Sequence, residues 1–489
     1  MNKPIRVMSV ACLLLFMALL LNVTYVQFVQ ADSLNARNDN KRIINEEFSR
    51  DRGPILVDGK PVAESKPVDD RFEFQRTYPY PKIYAPITGF YSYLYSRRGI
   101  EDSQNRILSG TDNRLFVNRV VDLLSNKNAK GGSVELTIDP LAQKTAANGL
   151  ESLGKDAKGA VVALDPSDGS VLAMVTQPSY NPNKLASHNF DKVQKSWERL
   201  HDDEDQPMLN RATQQILPPG SAFKMVTAAA VLENLDMDPD DNVKAGSSLS
   251  FDGMDYTLTN ENNSTCGGEQ ISFERALEVS CNVSFGWLAE KVGQKDLIEQ
   301  ADKFGFGAEH LDGLETSSSH VLNGTDDLNP PQLAQTGIGQ YEVAASPLQM
   351  AMVTAGIAND GVVMDPYIVR NVRAPNLSVL EKHSPKELDR ALSEGNAAKL
   401  KDMMVSVVDQ GTGTSAQISG VDVGGKTGTA QSTPERPPYA WFVSFAPADD
   451  PQVAIAVVVE SSDTDRSEIA GSRLAGPIAK SVMEAILNQ

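Results

Sequence analysis

Three short groups of polar residues stand in the order and with the chemistry of acyl transfer through a serine. The first is Ser221-Ala-Phe-Lys224, which follows Pro218-Pro-Gly220 and opens a stretch with Phe223, Val226, Ala230 and Leu235 at helical spacing. Residues three apart share one face of a helix, so the Lys224 amine can reach the Ser221 hydroxyl. The start of a helix adds a positive dipole end and free N–H groups beside a reacting carbonyl. A serine hydroxyl is a poor nucleophile without an adjacent base. His188, His201, His310, His320 and His383 all lie away from the three groups, which leaves Lys224 for that role. The second group is Ser280-Cys281-Asn282, between helical stretches at Phe273–Val279 and Val283–Val292, where a turn can project both polar side chains. Ser-x-Asn also begins at Ser33, Ser103, Ser179 and Ser187 and usually marks a helix cap, so context singles out Ser280. The third is Lys426-Thr427-Gly428-Thr429, the one Lys-Thr-Gly in the chain, preceded by Val421-Asp-Val-Gly-Gly425. It reads as a strand on which a lysine and two hydroxyls bind a carboxylate, with Gly428 small enough for close approach. A second Ser-x-x-Lys, Ser152-Leu-Gly-Lys155, contains Gly154 and runs into a strand, so it is not read as a site.

The rest of the chain must position these groups. With 489 residues it exceeds one core, and two or more domains are expected. Lysine and arginine number 45 against 64 aspartate and glutamate, a net charge of −19, which provides no basic footprint for nucleic acid. The cysteines (Cys12, Cys266, Cys281) and the scattered histidines lack metal-ligand spacing, so neither metal nor cofactor is expected. Lys3 and Arg6 precede 23 largely apolar residues, Val7 to Val29, long enough to span a bilayer. The charge places residues 1–6 in the cytoplasm and the rest outside, as a single-pass membrane protein. A cleaved signal peptide is the alternative, since Val29-Gln30-Ala31 suits a cleavage site; either reading exports the folded part.

Residues 30–150 read as a mixed membrane-proximal pedestal, opening with a charged helix or stalk at 35–51. Ser133 to Ile138 alternates as a strand, and Leu141 to Leu153 is a helical connector. From 151 to 489 the pattern is α+β. Strands at Ala160–Leu164 and Ser170–Val175, joined by Asp165-Pro-Ser-Asp-Gly169, match strands at Trp441–Phe445 and Val453–Val459 near the other end. A helix over Ala475–Leu487 follows, and residues 220–410 between the strands read as mainly helical. The expectation is one antiparallel sheet built from both chain ends with a helical region inserted.

The three groups match the Ser-x-x-Lys, Ser-x-Asn and Lys-Thr-Gly set of serine penicilloyl enzymes. From the apolar segment to the last helix the chain resembles class B penicillin-binding proteins, closest to the PbpA type of actinobacteria. Further pieces carry the likeness: Arg52-Gly-Pro-Ile55, Leu164-Asp-Pro-Ser-Asp-Gly-Ser-Val-Leu-Ala-Met174, Gly337-Ile-Gly-Gln340, Ser346-Pro-Leu-Gln-Met-Ala351 and Gly411-Thr-Gly413. The resemblance implies a peptidoglycan DD-transpeptidase that expels the terminal D-Ala of a stem peptide and is acylated by β-lactams. Ser221 would attack, Lys224 act as base, Ser280 relay the proton and Asn282 hold the substrate backbone. Lys426, Thr427 and Thr429 would hold the terminal carboxylate, and the N–H groups of Ser221 and Thr429 would form the oxyanion hole. A pedestal of this size has no room for a glycan polymerase, so a membrane glycosyltransferase of the SEDS type is implied as partner. A β-lactamase of class A would need a glutamate in a Glu-x-x-Leu-Asn setting; before Leu328-Asn329 that place holds Thr325. A sensor would need a cytoplasmic output domain larger than residues 1–6, and a scaffold with a vestigial site would not need all three groups.

Cys266 and Cys281 are the two cysteines beyond the apolar segment, in a compartment where disulfides persist. Glycines at Gly267 and Gly268 let the Cys266 loop fold back, and a Cys266–Cys281 bridge would hold the Ser280–Asn282 turn. Two separate buried thiols are the alternative.

Overall fold

The structure is a computed structural model that describes residues 2–30, 33–34, 41–115, 130–324, 327–431, 436–464 and 466–488. Part of the expected stalk, Asn35 to Asn40, and Thr325 lie outside the described residues. The N-terminal helix Asn2–Thr24 continues as a π-helical turn, Tyr25–Val29. Its 27-residue apolar stretch, Lys3–Val29, buries nothing against the protein. At 1.5 Å per residue that is about 40 Å, enough to cross a hydrocarbon core of about 30 Å. A charged helix, Lys41–Phe48, follows where the stalk was expected.

The larger half, from 151 onward, is built on a five-stranded antiparallel sheet in the order Gly424–Ala430, Tyr439–Ala446, Val453–Ser461, Lys158–Leu164, Val171–Gln177. Its inner strands are apolar on both faces because helices cover both. Pro347–Ala358, buried at every position, packs on one face, while Pro140–Glu151 and Gly471–Leu487 pack on the other. Ser346 caps the first of these by accepting from the Gln349 N–H, with Pro347 at the first helical position. The two chain ends therefore meet in one sheet.

Two expectations need amendment. Residues 220–410 carry short strands as well as helices: Asn242–Lys244, Ser248–Ser250, Thr257–Thr259 and Gln270–Ser272 form two hairpin-like pairs beside the cleft. The pedestal does not end at 150. Its six-stranded sheet runs Val379–Lys382, Val369–Arg373, Ser133–Leu136, Ile55–Val57, Lys60–Pro67, Phe74–Thr77, so two strands come from the far half of the chain. The helix Pro140–Glu151, expected as a connector, packs on the five-stranded sheet and on the last helix.

The pedestal core holds a buried ionic cluster. Both oxygens of Glu101 accept, one from Arg52 Nε at 2.7 Å and the other from Arg76 Nε at 2.6 Å, and the Tyr78 hydroxyl adds a third bond at 3.0 Å. Arg52 also donates to Asn105 Oδ1 and to the Glu101 carbonyl. Burial opposes every charge here. The two guanidinium groups nevertheless hold Glu101 below the usual carboxylate range, and Glu101 holds Arg52 above its ordinary value.

Candidate active site

Gly220, with φ of 53°, turns the chain after Pro218-Pro219 into a 3₁₀ turn, Gly220–Phe223, which continues as the α-helix Lys224–Asn234. The sequence suggested an α-helix from Ser221. The tighter 3₁₀ turn serves the same end, because side chains three apart eclipse in it. The glycine is required by closeness as well as by φ: a Cβ there would lie 2.8 Å from the Thr429 carbonyl oxygen. The turn carrying Ser221 thus abuts the strand carrying the third motif.

Lys224 is fully buried. Its Nζ donates to the Ser280 carbonyl at 2.7 Å and to Asn282 Oδ1 at 2.8 Å, and lies 3.2 Å from Ser280 Oγ. Lys426, also fully buried, donates from Nζ to Ser280 Oγ at 2.9 Å and to the Thr427 carbonyl at 2.9 Å. Ser280 Oγ therefore sits between two amines. Loss of hydration pushes the Lys224 amine well below its ordinary value, and the neighbouring Lys426 charge pushes it further. Burial lowers Lys426 to about 7, with the Glu261 carboxylate working the other way. A neutral Lys224 donates two protons to the two carbonyl oxygens, which leaves its lone pair for the Ser280 hydroxyl. Among the described residues the Ser221 hydroxyl makes no side-chain hydrogen bond; Lys224 is engaged with the second motif, and Ser221 is half-buried.

The second motif lies in a turn between helices Phe273–Glu278 and Asn282–Val292, with Ser280 at φ of 58°. Cys281 is joined to Cys266 in a disulfide with Cα atoms 5.8 Å apart. The third motif lies on Gly424–Ala430, an edge strand of the main sheet, facing the Ser221 turn. Thr427 and Thr429 lie on it beside Lys426, with Thr429 the more exposed. Gly428 differs from its expected role. A Cβ there would lie 2.7 Å from the Pro219 carbonyl oxygen and 2.9 Å from Trp441 Cβ, so its smallness serves the contact between the strand and the Ser221 turn. Gly339 acts likewise, with a Cβ position 2.2 Å from the Gly220 carbonyl oxygen.

The structure thus brings the turn of Ser221 and Lys224, the turn of Ser280 and Asn282, and the strand of Lys426 and Thr427 together at one place. Ser152 and Lys155 are elsewhere: Ser152 Oγ donates to the Gly149 carbonyl at the end of its own helix. Residue reading missed three contributors. Thr412 shares a hydrogen bond with Thr427 Oγ1 at 2.8 Å; its Gly-Thr-Gly setting was visible, its contact was not. Glu261 lies close enough to act on both lysines, and Asn260 ties its loop to the second motif, but neither belongs to a recognisable pattern.

Comparison with known proteins agrees with this geometry. Residues 159–484 match the penicillin binding protein transpeptidase domain, and residues 52–134 match the penicillin binding protein A dimerisation domain. The chain is 39% identical to peptidoglycan D,D-transpeptidase PbpA of Mycolicibacterium smegmatis, over the whole of both chains. It is also 39% identical to PbpA of Mycobacterium tuberculosis, over all of this chain and 99% of the other. The ceftriaxone acyl-enzyme of penicillin-binding protein A from M. tuberculosis superposes with a TM-score of 0.86 at 38% identity, covering 91% of this chain and 100% of that one. The penicillin G acyl-enzyme of the same protein gives 0.84 at 38% identity, covering 90% and 100%. Cleft, sheet and relatives agree, and the chain belongs to the penicillin-binding protein transpeptidase family.

Proposed function

We infer that this chain is a serine-type peptidoglycan D,D-transpeptidase that cross-links stem peptides through a Ser221 acyl-enzyme. The observation that carries this reading is the convergence of three motifs on one hydroxyl, Ser280 Oγ, 3.2 Å from Lys224 Nζ and 2.9 Å from Lys426 Nζ. Desolvation favours the neutral form of Lys224, the form a base needs, while Lys426 with Thr427 and Thr429 receives the terminal carboxylate. Lys224 takes the proton of Ser221 as Oγ attacks the penultimate D-Ala carbonyl. The oxyanion meets the N–H groups of Ser221 and Thr429, and Asn282 holds the substrate backbone. Ser280 passes the proton to the departing D-Ala amine as the C–N bond breaks. An amine of a neighbouring strand then attacks the ester, an amide forms, and the proton returns to Ser221 through the same pair. A β-lactam follows the first half and stops at the ester.

Residues 1–6 are a cytoplasmic tail, 7–29 a single span, 30–150 the pedestal with its two added strands, and 151–489 the extracytoplasmic catalytic domain. The apolar helix Lys3–Val29 and the matched ranges 52–134 and 159–484 support this division. The described residues of the pedestal build a sheet and its flanks, so glycan strands come from a separate membrane glycosyltransferase of the SEDS type. Incubation with a stem-pentapeptide donor and an amine acceptor tests the activity. Release of D-Ala with formation of the cross-linked product is expected, and D-Ala release without any cross-linked product would contradict transpeptidation.

A further inference from the structure

Helix Asn282–Val292 starts inside the second motif with an unusual cap. Its N-cap residue is Cys281, whose side chain is committed to the disulfide and accepts no hydrogen bond from the helix. First-turn N–H groups need an acceptor from somewhere. The Val283 N–H finds one across the cleft wall, in Asn260 Oδ1 at 3.0 Å.

Asn260 is 5% exposed, and its amide is fully used. While Oδ1 accepts from Val283, Nδ2 donates to the Gly246 carbonyl at 2.7 Å and to the Ser264 carbonyl at 2.8 Å. One side chain therefore ties three segments: the link at Gly246 between strands Asn242–Lys244 and Ser248–Ser250, the loop leading to Cys266, and the first turn of the helix bearing Asn282. Two neighbours reinforce the tie. Asn282 Nδ2 donates to the Thr259 carbonyl at 3.1 Å, and the disulfide fixes Cys281 to the same loop. The turn needs such support, because Ser280 holds a φ of 58°, where a side chain is strained and surrounding contacts must impose the conformation.

We propose that Asn260 is a positioning residue for the transpeptidase reaction: by capping the Asn282 helix in place of Cys281, it fixes the distances from Ser280 and Asn282 to the Lys224 amine. This rests on the proposed roles of Ser280 and Asn282. It adds that their placement is imposed by a residue outside the three motifs. Asn260→Ala frees the Val283 N–H and two carbonyls, loosens the turn and admits water around Lys224. Burial lowers this amine's pKa most, the Lys426 charge lowers it further and Glu261 raises it; rehydration relieves the largest of these, so the acid limb of the acylation profile moves to higher pH.

The test is the rate of penicillin acylation against pH for wild type, Asn260→Ala and, as a stability control, Ile455→Val in the main sheet. Asn260→Ala is expected to slow acylation by about tenfold to a hundredfold, as a small misplacement of a catalytic group does, and to shift the acid limb upward. Ile455→Val should do neither. Acylation by Asn260→Ala at the control's rate with an unmoved acid limb would overturn the proposal. If Asn260→Ala does not fold, Asn260→Ser, which is uncharged and too short for the three bonds, is read by the same two criteria. Failure of the wild type to acylate at Ser221 would instead sink the transpeptidase reading, so the two failures are distinct.

Discussion

Two buried ionic clusters, one in the pedestal and one in the cleft, use the same burial for opposite ends. In the pedestal, Arg52 and Arg76 enclose Glu101, and each charge finds its opposite within 2.7 Å. Desolvation is outweighed there, with Glu101 held below the usual carboxylate range and Arg52 above its ordinary value. In the cleft, Lys224 and Lys426 are buried around one hydroxyl with no carboxylate in contact among the described residues, and both amines are pushed down although Glu261 acts on them from further off. Opposite charges turn burial into structure, and like charges turn it into reactivity. Chain position gives no hint of this difference, since all these residues are cationic or acidic side chains at interior positions.

The contrast can be broken most severely at Lys224. Lys224→Arg keeps the charge but cannot supply a neutral base, and acylation by penicillin should fall by about 10²–10⁴-fold. Stopped-flow or mass-resolved acylation at near the wild-type rate would remove the base role. In the pedestal, Glu101→Gln leaves Arg76 buried without its counter-charge and Arg52 with the longer contact to Glu47 at 3.4 Å, a change that costs about 3–5 kcal/mol. A large fall in thermal midpoint is expected, with the acylation rate of the folded protein within about twofold of wild type. The sign with pH follows from Glu101 being held below its ordinary 4.5. Its contribution is complete above that value and is lost as pH falls toward its lower folded pKa, so the two midpoints converge in acid. A difference that grew on acidification would contradict the ionised cluster.

The two lysines predict a bell-shaped profile for the free enzyme. Protonation of Lys224 gives the acid limb, and loss of the Lys426 charge, near 7, gives the alkaline one. A bound carboxylate favours charged Lys426, so the alkaline limb of kcat should lie at higher pH than that of kcat/KM. Coincident limbs would argue against Lys426 as the carboxylate's partner. A smaller effect is expected from the disulfide. Closing a loop of 15 residues is worth about 3 kcal/mol by chain entropy. Cys266→Ser/Cys281→Ser should lower the midpoint yet still acylate, because Asn260 and the Asn282 to Thr259 bond remain. Loss of acylation with the fold intact would show that the bridge alone positions the turn.

How far the sequence could foretell this depended on range. The main sheet was legible from its ends, since Val161–Leu164 and Val453–Val459 are apolar runs bounded by turn residues. The three motifs were legible because each is a local pattern in a local setting. The strands around 242–272 are three residues long with one buried position each, too short for any periodicity to emerge. The pairing of Val369–Arg373 with Ser133–Leu136 joins segments more than two hundred residues apart, and neither records its partner. Asn260 and Glu261 were invisible for the same reason: an asparagine becomes a cap for another helix only once the chain has folded. Gly428 was read as making room for substrate, although its neighbour is the Pro219 carbonyl, also distant in sequence.

The central claim is that Ser221 is the acylated residue, and intact mass after incubation with penicillin G, followed by peptide mapping, tests it most directly. A single adduct of one penicilloyl group on the peptide containing Ser221 is predicted, together with no adduct on Ser221→Ala and an unchanged adduct on Ser152→Ala. A covalent adduct persisting on Ser221→Ala would contradict the account.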